Sequence, residues 1–259
     1  SLRDADKYQR FVGGEPTNLS RNMALMGKKV ALVACVGSDN LGQHILEQLQ
    51  LTDIDTRFIQ RSNHAPTTII LVAKTLEGSP DFIPYRGADA HIQPNQALFD
   101  AVSETRILHT SAFALSKEPA RTTILQAIKN AREYGALISL DPNYHPDVWP
   151  DTANFLTLIQ QTFQLVDITK PSLDDCERIF APGLDPTEYC QRFHEWGAKT
   201  VILSMGSKGV TLSTSSGERY TLHPNEISVA DVTGAGDAFW AGFLSAKLDG
   251  KSDLDAALL

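Results

Sequence analysis

The chain has 259 residues, 42% hydrophobic and 21% charged, enough apolar material for one large α/β core with a small appendage. Lys and Arg total 23 against 31 Asp and Glu, a formal charge of −8 with no basic cluster, which argues against nucleic acid as a partner. Cys35, Cys176 and Cys190 lack CxxC spacing and read as buried hydrophobes in a reducing, cytoplasmic setting; no apolar run approaches the ~18 residues of a membrane span and no signal sequence opens the chain.

Phe11 to Asn18 runs from a short extended piece into a helix ending near Gly27. Lys29 to Val36 reads as a buried strand, followed by Gly37-Ser38-Asp39-Asn40-Leu41-Gly42 and a helix to about Leu51. Residues 57–86 contain three strand-like runs parted by turn residues with no helix between them, which predicts an antiparallel patch. Strands and helices then alternate. Arg106–Thr110 is a strand, Glu118–Tyr134 a helix stopped by Gly135, and Leu137–Leu140 a strand delivering Asp141-Pro142-Asn143 to its C-terminal end. A helix from Thr152, a strand Val166–Thr169, two helices around Asp174–Phe180 and Pro186–Trp196, and a strand Thr200–Leu203 follow. Val210–Ser213 and Arg219–Leu222 read as a hairpin. Such alternation predicts an α/β fold with a mostly parallel sheet covered on both faces, whose ligands bind beyond the C-terminal strand ends. Gly37–Gly42, Asp141–Asn143, Lys170–Ser172, Gly206–Gly209 and Gly234–Asp237 all follow strands and are expected to converge there. The chain opens on Ser1 and stops at Leu259 inside a helical-looking stretch, which reads as part of a longer protein.

The stretch Asp231-Val232-Thr233-Gly234-Ala235-Gly236-Asp237-Ala238-Phe239 joins a β-rich run ending near Val229 to an apolar helical pattern. Glycine lets backbone N–H groups approach a ligand without a Cβ in the way, and a helix's first amides lack partners and carry partial positive charge. An anion is expected at Gly234–Gly236. On local chemistry alone, Asp237 is either a favourable first-turn acid or a carboxylate placed to take a proton. Two other phosphate loops do not fit: a Rossmann turn needs Gly or Ala where Phe239 stands, and Gly250-Lys251-Ser252 lacks the earlier P-loop glycine, Ser245 standing there.

With these loops in order, the whole chain resembles the PfkB, or ribokinase-like, family of sugar and nucleoside kinases. Gly13-Gly14 with Asn18 is similar to the family's N-terminal signature, and Asp231 to Asp237 to its specific C-terminal one, DTxGAGD. The resemblance implies a three-layer α/β/α core at 13–56 and 87–259, with a small β-sheet lid from 1–12 and 57–86. It implies that Asp237 is the catalytic base, with the backbone of Gly234, Ala235 and Gly236 as the anion hole. Gly13, Gly14, Asn18, Arg86 and Asn143 would contact the sugar, with Asp89 a further lid candidate. Lys170, Ser172, Ser204, Gly206, Lys208 and Gly209 would line the ATP site. Asp175 would contact Mg²⁺ through water, while Asp231 and the Val232 carbonyl would hold a monovalent cation such as K⁺.

Three departures qualify the match. The usual Asn-x-x-Glu is Ser172-x-x-Asp175 here, a version similar to the ketodeoxygluconate kinase branch. His145 stands where relatives of that branch and fructokinases carry Arg, and loss of a permanent bidentate cation weakens the case for a carboxylated sugar. The family's first strand and its C-terminal adenine-contacting helices are expected outside the 259 residues. The resulting expectation is an ATP- and Mg²⁺-dependent sugar kinase acting on a primary hydroxyl of a fructose-like ketose or 2-keto-3-deoxy acid, homodimeric through its lid. A nucleoside kinase and a non-catalytic sugar- or nucleotide-binding regulator are the alternatives. His44, His64, His91, His109, His194 and His223 show no metal spacing and read as structural or surface residues.

Overall fold

In the strand Thr200–Ser204, Val201 and Leu203 belong to one buried cluster and Ile202 to another. That period of two is what a sheet buried on both faces requires. The structure, a computed structural model, describes residues 2, 5–72, 82–224 and 234–258. The chain begins with α1 (Glu15–Leu25), β1 (Val30–Ala31), β2 (Ala34–Gly37), α2 (Asn40–Gln50), β3 (Ile54–Asp55), β4 (Ile59–Ser62), β5 (Ile69–Val72), β6 (Phe82–Tyr85) and α3 (Gln96–Ser103). It continues through β7 (Ile107–Ser111), α4 (Ala120–Glu133), β8 (Leu137–Asp141), α5 (Thr152–Phe163), β9 (Ile168–Thr169), α6 (Leu173–Ile179) and α7 (Pro186–Trp196). β10 (Thr200–Ser204), β11 (Val210–Thr214), β12 (Arg219–Leu222), α8 (Ala235–Leu248) and α9 (Asp253–Ala257) complete it.

The main sheet has six strands in the order β12-β11-β10-β9-β8-β7. β7 to β10 are parallel, and β11 and β12 turn back as the expected antiparallel hairpin. On one face Ile138, Leu140, Val201 and Leu203 pack with Ile128 of α4, Phe155 and Phe163 of α5 and Phe193 of α7. On the other, Ile168, Ile202 and Leu212 meet Leu19 of α1, Trp240, Phe243 and Leu244 of α8 and Ala256 of α9. Each fully buried large side chain contributes roughly 1.5–3 kcal/mol, so these two layers dominate the stability. The three-layer α/β/α expectation holds.

The strand expected over Lys29–Val36 is two short pieces, β1 pairing with β3 and β2 with β4, both parallel. Among the described residues of 57–86 only β5 and β6 pair antiparallel, so the patch expected there is smaller than its sequence suggested. β4 instead pairs with β2 in a two-stranded sheet of its own, with Ser62 buried beside Gly37. Between Val30–Val33 and Arg106–Thr110 lies a cavity of about 560 Å³. Asp237 and Gly234 to Gly236 do not line it.

The Gly37–Gly42 loop serves the fold. A Cβ at Gly42 would come 2.1 Å from the Gly37 carbonyl, so only glycine fits there. Asp39 caps α2 through the Gly42 N–H at 2.8 Å and accepts from the Thr67 N–H and hydroxyl, each at 2.7 Å. Those donors, the Thr67 N–H first, hold its carboxyl at about 2, below the ordinary 3.8. A depressed acid stabilises fully above its unfolded value and loses that contribution as pH falls through the folded one. Asp39→Ala is therefore expected to cost about 1–2 kcal/mol at neutral pH, and to make stability less steeply pH-dependent between 3.8 and about 2. Thermal melts followed by circular dichroism across that range check it.

Candidate active site

α8 begins at Ala235 because Gly234 takes a left-handed backbone, φ 78° and ψ 2°, which costs any residue with a Cβ. The carbonyl of Gly234 accepts from Ala238 N–H at 2.9 Å, so the helix is wound from its first turn. Among the described residues nothing accepts from the amides of Ala235 and Gly236, as the geometry of a helix start dictates. Asp237 stands in that turn, half-buried.

From the other end of the chain, Gly14 caps α1 with φ 97°, and open space lies where its Cβ would be. Asn18, one turn into α1, donates its Nδ2 to Asp237 Oδ2 at 2.8 Å, while its Oδ1 lies 3.7 Å from where a Gly13 Cβ would sit. Residues 219 positions apart thus form one site. Burial raises the pKa of Asp237 above the ordinary carboxylate range, Glu15 adds to the rise, and the Asn18 amide, Lys170 and His109 oppose it.

Beneath the helix start lies a buried charged cluster. Lys170 follows β9, and its Nζ sits 3.6 Å from the position of a Gly236 Cβ. It pairs with Asp141 Oδ2 at 2.8 Å, both side chains more than nine-tenths buried. Desolvation works against the ammonium, yet Asp141, Asp175 and Glu15 together hold it charged. Burial pushes Asp141 up to about 6, with Asp175 and Glu15 adding to the rise and Lys170 opposing it. Burial and the nearby carboxylates together outweigh the Lys170 ammonium, so Asp141 keeps its proton above the usual range.

The remaining expected residues divide by what they touch. Arg86 does not reach outward: its Nε donates to Asp89 Oδ2 and its Nη1 to Ser116 Oγ, each at 2.6 Å, and it stacks 4.0 Å from the Phe113 ring centroid. It fastens the β5–β6 hairpin to the loop after β7. Asn143 is exposed at the strand end with φ 33°, an uncommon backbone for a non-glycine residue, and its N–H donates to Asp141. His145 packs on Phe82 of β6 at 4.8 Å between centroids, so this departure from the kinase pattern is a hairpin contact. Ser172 and Asp175 form a capping box on α6, and Asp175 also accepts from Tyr144 N–H at 2.8 Å. Ser204 donates to the Pro171 carbonyl at 3.3 Å, and Ser172 bridges to Ser204, which sets the loops at Lys170–Ser172 and Gly206–Gly209 side by side. Gly209 is dictated by packing, since a Cβ there would meet the Leu222 carbonyl at 2.0 Å. Gly206 and Lys208 form a short turn with no buried residue. Asp231 and Val232 lie outside the described residues. Sequence reasoning passed over Glu15, read His109 as structural or surface, and placed Asp141 at the ligand edge without a role. An acid at a helix start and a histidine on a strand both have ordinary explanations until the fold brings them together.

The sequence profile of the pfkB family carbohydrate kinase matches residues 1–259. The chain is 36% identical over 249 residues to an ATP-dependent 6-phosphofructokinase of Thermoanaerobacterium thermosaccharolyticum, covering 95% of this chain and 76% of that protein. Halothermothrix orenii fructokinase superposes with a TM-score of 0.86 at 36% identity, over 100% of this chain and 90% of that one. An uncharacterized sugar kinase of Pyrococcus horikoshii in complex with ATP gives 0.80 at 26%, over 94% and 78%. Fold and comparisons together define a phosphotransferase with an alcohol group as acceptor. The chain belongs to the pfkB family of carbohydrate kinases. Among the described residues no helix is long and apolar enough to cross a membrane.

Proposed function

We propose that the chain transfers the γ-phosphoryl group of ATP to a primary hydroxyl of fructose. The observation that carries this is the 2.8 Å bond from Asn18 to Asp237 beside helix-start amides that have no acceptor among the described residues. Asp237 takes the hydroxyl proton as the oxygen attacks phosphorus. The amides of Gly234, Ala235 and Gly236 face the charge on the transferring phosphoryl, with the Lys170 ammonium behind them. Phosphoryl transfer needs positioning and charge stabilisation more than covalent chemistry, and fixed dipoles in a dry site supply both. Gly13, Gly14 and Asn18 approach the sugar; Ser204, Gly206, Lys208 and Gly209 flank the nucleotide.

Mg²⁺ would enter with the nucleotide phosphates and neutralise their charge. No group of three or more metal-ligating side chains occurs among the described residues, and Asp175 spends both carboxylate oxygens on Ser172 and Tyr144. Those bonds do not favour Asp175 as a metal contact, and no step is assigned to it.

A neutral ketose is favoured over a keto-deoxy acid because Arg86 and His145 are engaged by Asp89, Ser116, Phe113 and Phe82. The names of the two 36%-identical proteins add fructose 6-phosphate as the second candidate. ATP consumption with fructose, fructose 6-phosphate, 2-keto-3-deoxygluconate and a nucleoside tests the assignment. Fructose is expected to give the highest kcat/KM. Sugar binding without turnover on any of the four would favour a regulator instead.

The β5–β6 pair, read as part of the lid, presents Ile69, Ile83 and Tyr85 on one exposed face, while Phe82 on the other meets His145. That outward apolar face suits pairing with a second copy. Ile83→Lys is expected to convert a dimer to a monomer in sedimentation at micromolar concentration, and a monomeric wild type would remove the idea.

A further inference from the structure

Glu15 and His109 form a buried connection that packing alone does not explain. Glu15 Oε1 meets His109 Nε2 at 2.5 Å, and His109 Nδ1 meets Ser139 Oγ at 2.7 Å. Trp240 Nε1 donates to that hydroxyl at 3.1 Å and stands 3.3 Å from His109 Nδ1. His109 and Ser139 are register partners on β7 and β8. Glu15 and Asn18 are three residues apart on α1, as are Asp237 and Trp240 on α8, so each pair shares a helix face. The two helices are thereby tied by two parallel connections. One is Asn18 to Asp237; the other runs from Glu15 through His109 and Ser139 to Trp240.

The second connection carries a charge it does not need for packing. Glu15 Oε2 is buried with no hydrogen-bond partner among the described residues. The Ser111 hydroxyl and the Lys170 ammonium are the further polar groups that face Glu15. Burial disfavours the Glu15 carboxylate, but His109, Lys170 and Ser111 more than offset it and hold its pKa below the usual range, so Glu15 is an anion in the fold. The nearby carboxylate of Asp237 feels that charge.

We propose that Glu15, braced by His109, is a positioning residue that keeps Asn18 on Asp237 and sets a second carboxylate on the same face of α1. This rests on Asp237 as the base. Among the described residues the groups facing Asp237 are Asn18 and Glu15 from α1, His109 from β7 and Lys170 after β9, with Asp141 and Asp175 behind Lys170.

The test is a ¹³C-carboxyl NMR titration of the aspartates in wild type and Glu15→Gln, the Asp237 resonance assigned with Asp237→Asn. Turnover of fructose with ATP is measured in parallel. Glu15→Gln is expected to move the Asp237 titration, and the acid limb of kcat, to lower pH by roughly half a unit or more. It is also expected to lower kcat roughly 10- to 100-fold, with the KM for ATP little changed. His109→Gln retains an N–H toward Glu15 and is expected to keep most of the kcat that His109→Leu loses. An Asp237 resonance that titrates at the same pH in Glu15→Gln and wild type overturns the proposal. Normal turnover by Asp237→Asn, with the resonance still shifted in Glu15→Gln, would remove the base assignment and leave the coupling standing.

Discussion

Asp237→Asn is expected to lower kcat by about 10²–10⁴, the range typical of a lost general base. The amide keeps the shape and can still accept from Asn18 Nδ2, so the KM for sugar should change little. Stability should hold or rise. Burial raises the folded pKa of Asp237, so its ionised form is disfavoured by folding above the unfolded value, and the neutral amide removes that penalty. The same shift has a kinetic signature in wild type: kcat falls as pH drops through the raised pKa, at a higher pH than an ordinary aspartate would give. Steady-state rates between mildly acidic and neutral pH, with thermal melts of both proteins, check the two halves together. A variant with near-normal kcat would leave Asp237 as a first-turn acid and nothing more.

Lys170→Met should have the largest effect on the scaffold. It removes the ammonium from a buried pair and leaves Asp141, Asp175 and Glu15 facing one another. Breaking a buried pair on one side typically costs about 3–5 kcal/mol, because the remaining charge stays desolvated. The carboxylates would take up protons, so the variant should regain stability more steeply than wild type as pH falls from 7 toward about 5; in wild type Asp141, at about 6, already gives part of that rise. Lys170→Met/Asp141→Leu, which removes both partners, should recover part of the loss at neutral pH. Denaturant unfolding of wild type and the two variants at two pH values distinguishes this from a simple packing defect, which would add no pH dependence to that of wild type. Because Lys170 Nζ also lies close under Gly236, activity is expected to fall even where the fold survives.

Most of the architecture was legible along the chain, since it depends on local periods. β10 to β12, α5 and α7 fall within a residue or so of expectation because buried runs, caps and turn glycines sit at their ends. Asp185 and Glu188, for example, close a capping box at the start of α7. The 57–86 region was harder: Ile59–Ser62 has the composition of its neighbours, and pairing with β2 depends on contacts that composition does not record. Arg86 shows the same limit in the site. A cation after a strand looks available, and only the positions of Asp89, Ser116 and Phe113 reveal that it is committed.

By itself, the sequence determined the alternation that makes a mostly parallel sheet. It also determined the left-handed glycine that starts α8 and the carboxylate in that helix's first turn, because backbone sterics and helix dipoles act within a few residues. Only the tertiary structure decided that Asn18 meets Asp237, that Lys170 lies beneath Gly236, and that Glu15 and His109 share a proton-bearing contact. Those pairings join distant segments in a low-dielectric interior, and the sign and size of each charge effect depend on burial and neighbours that no linear spacing encodes.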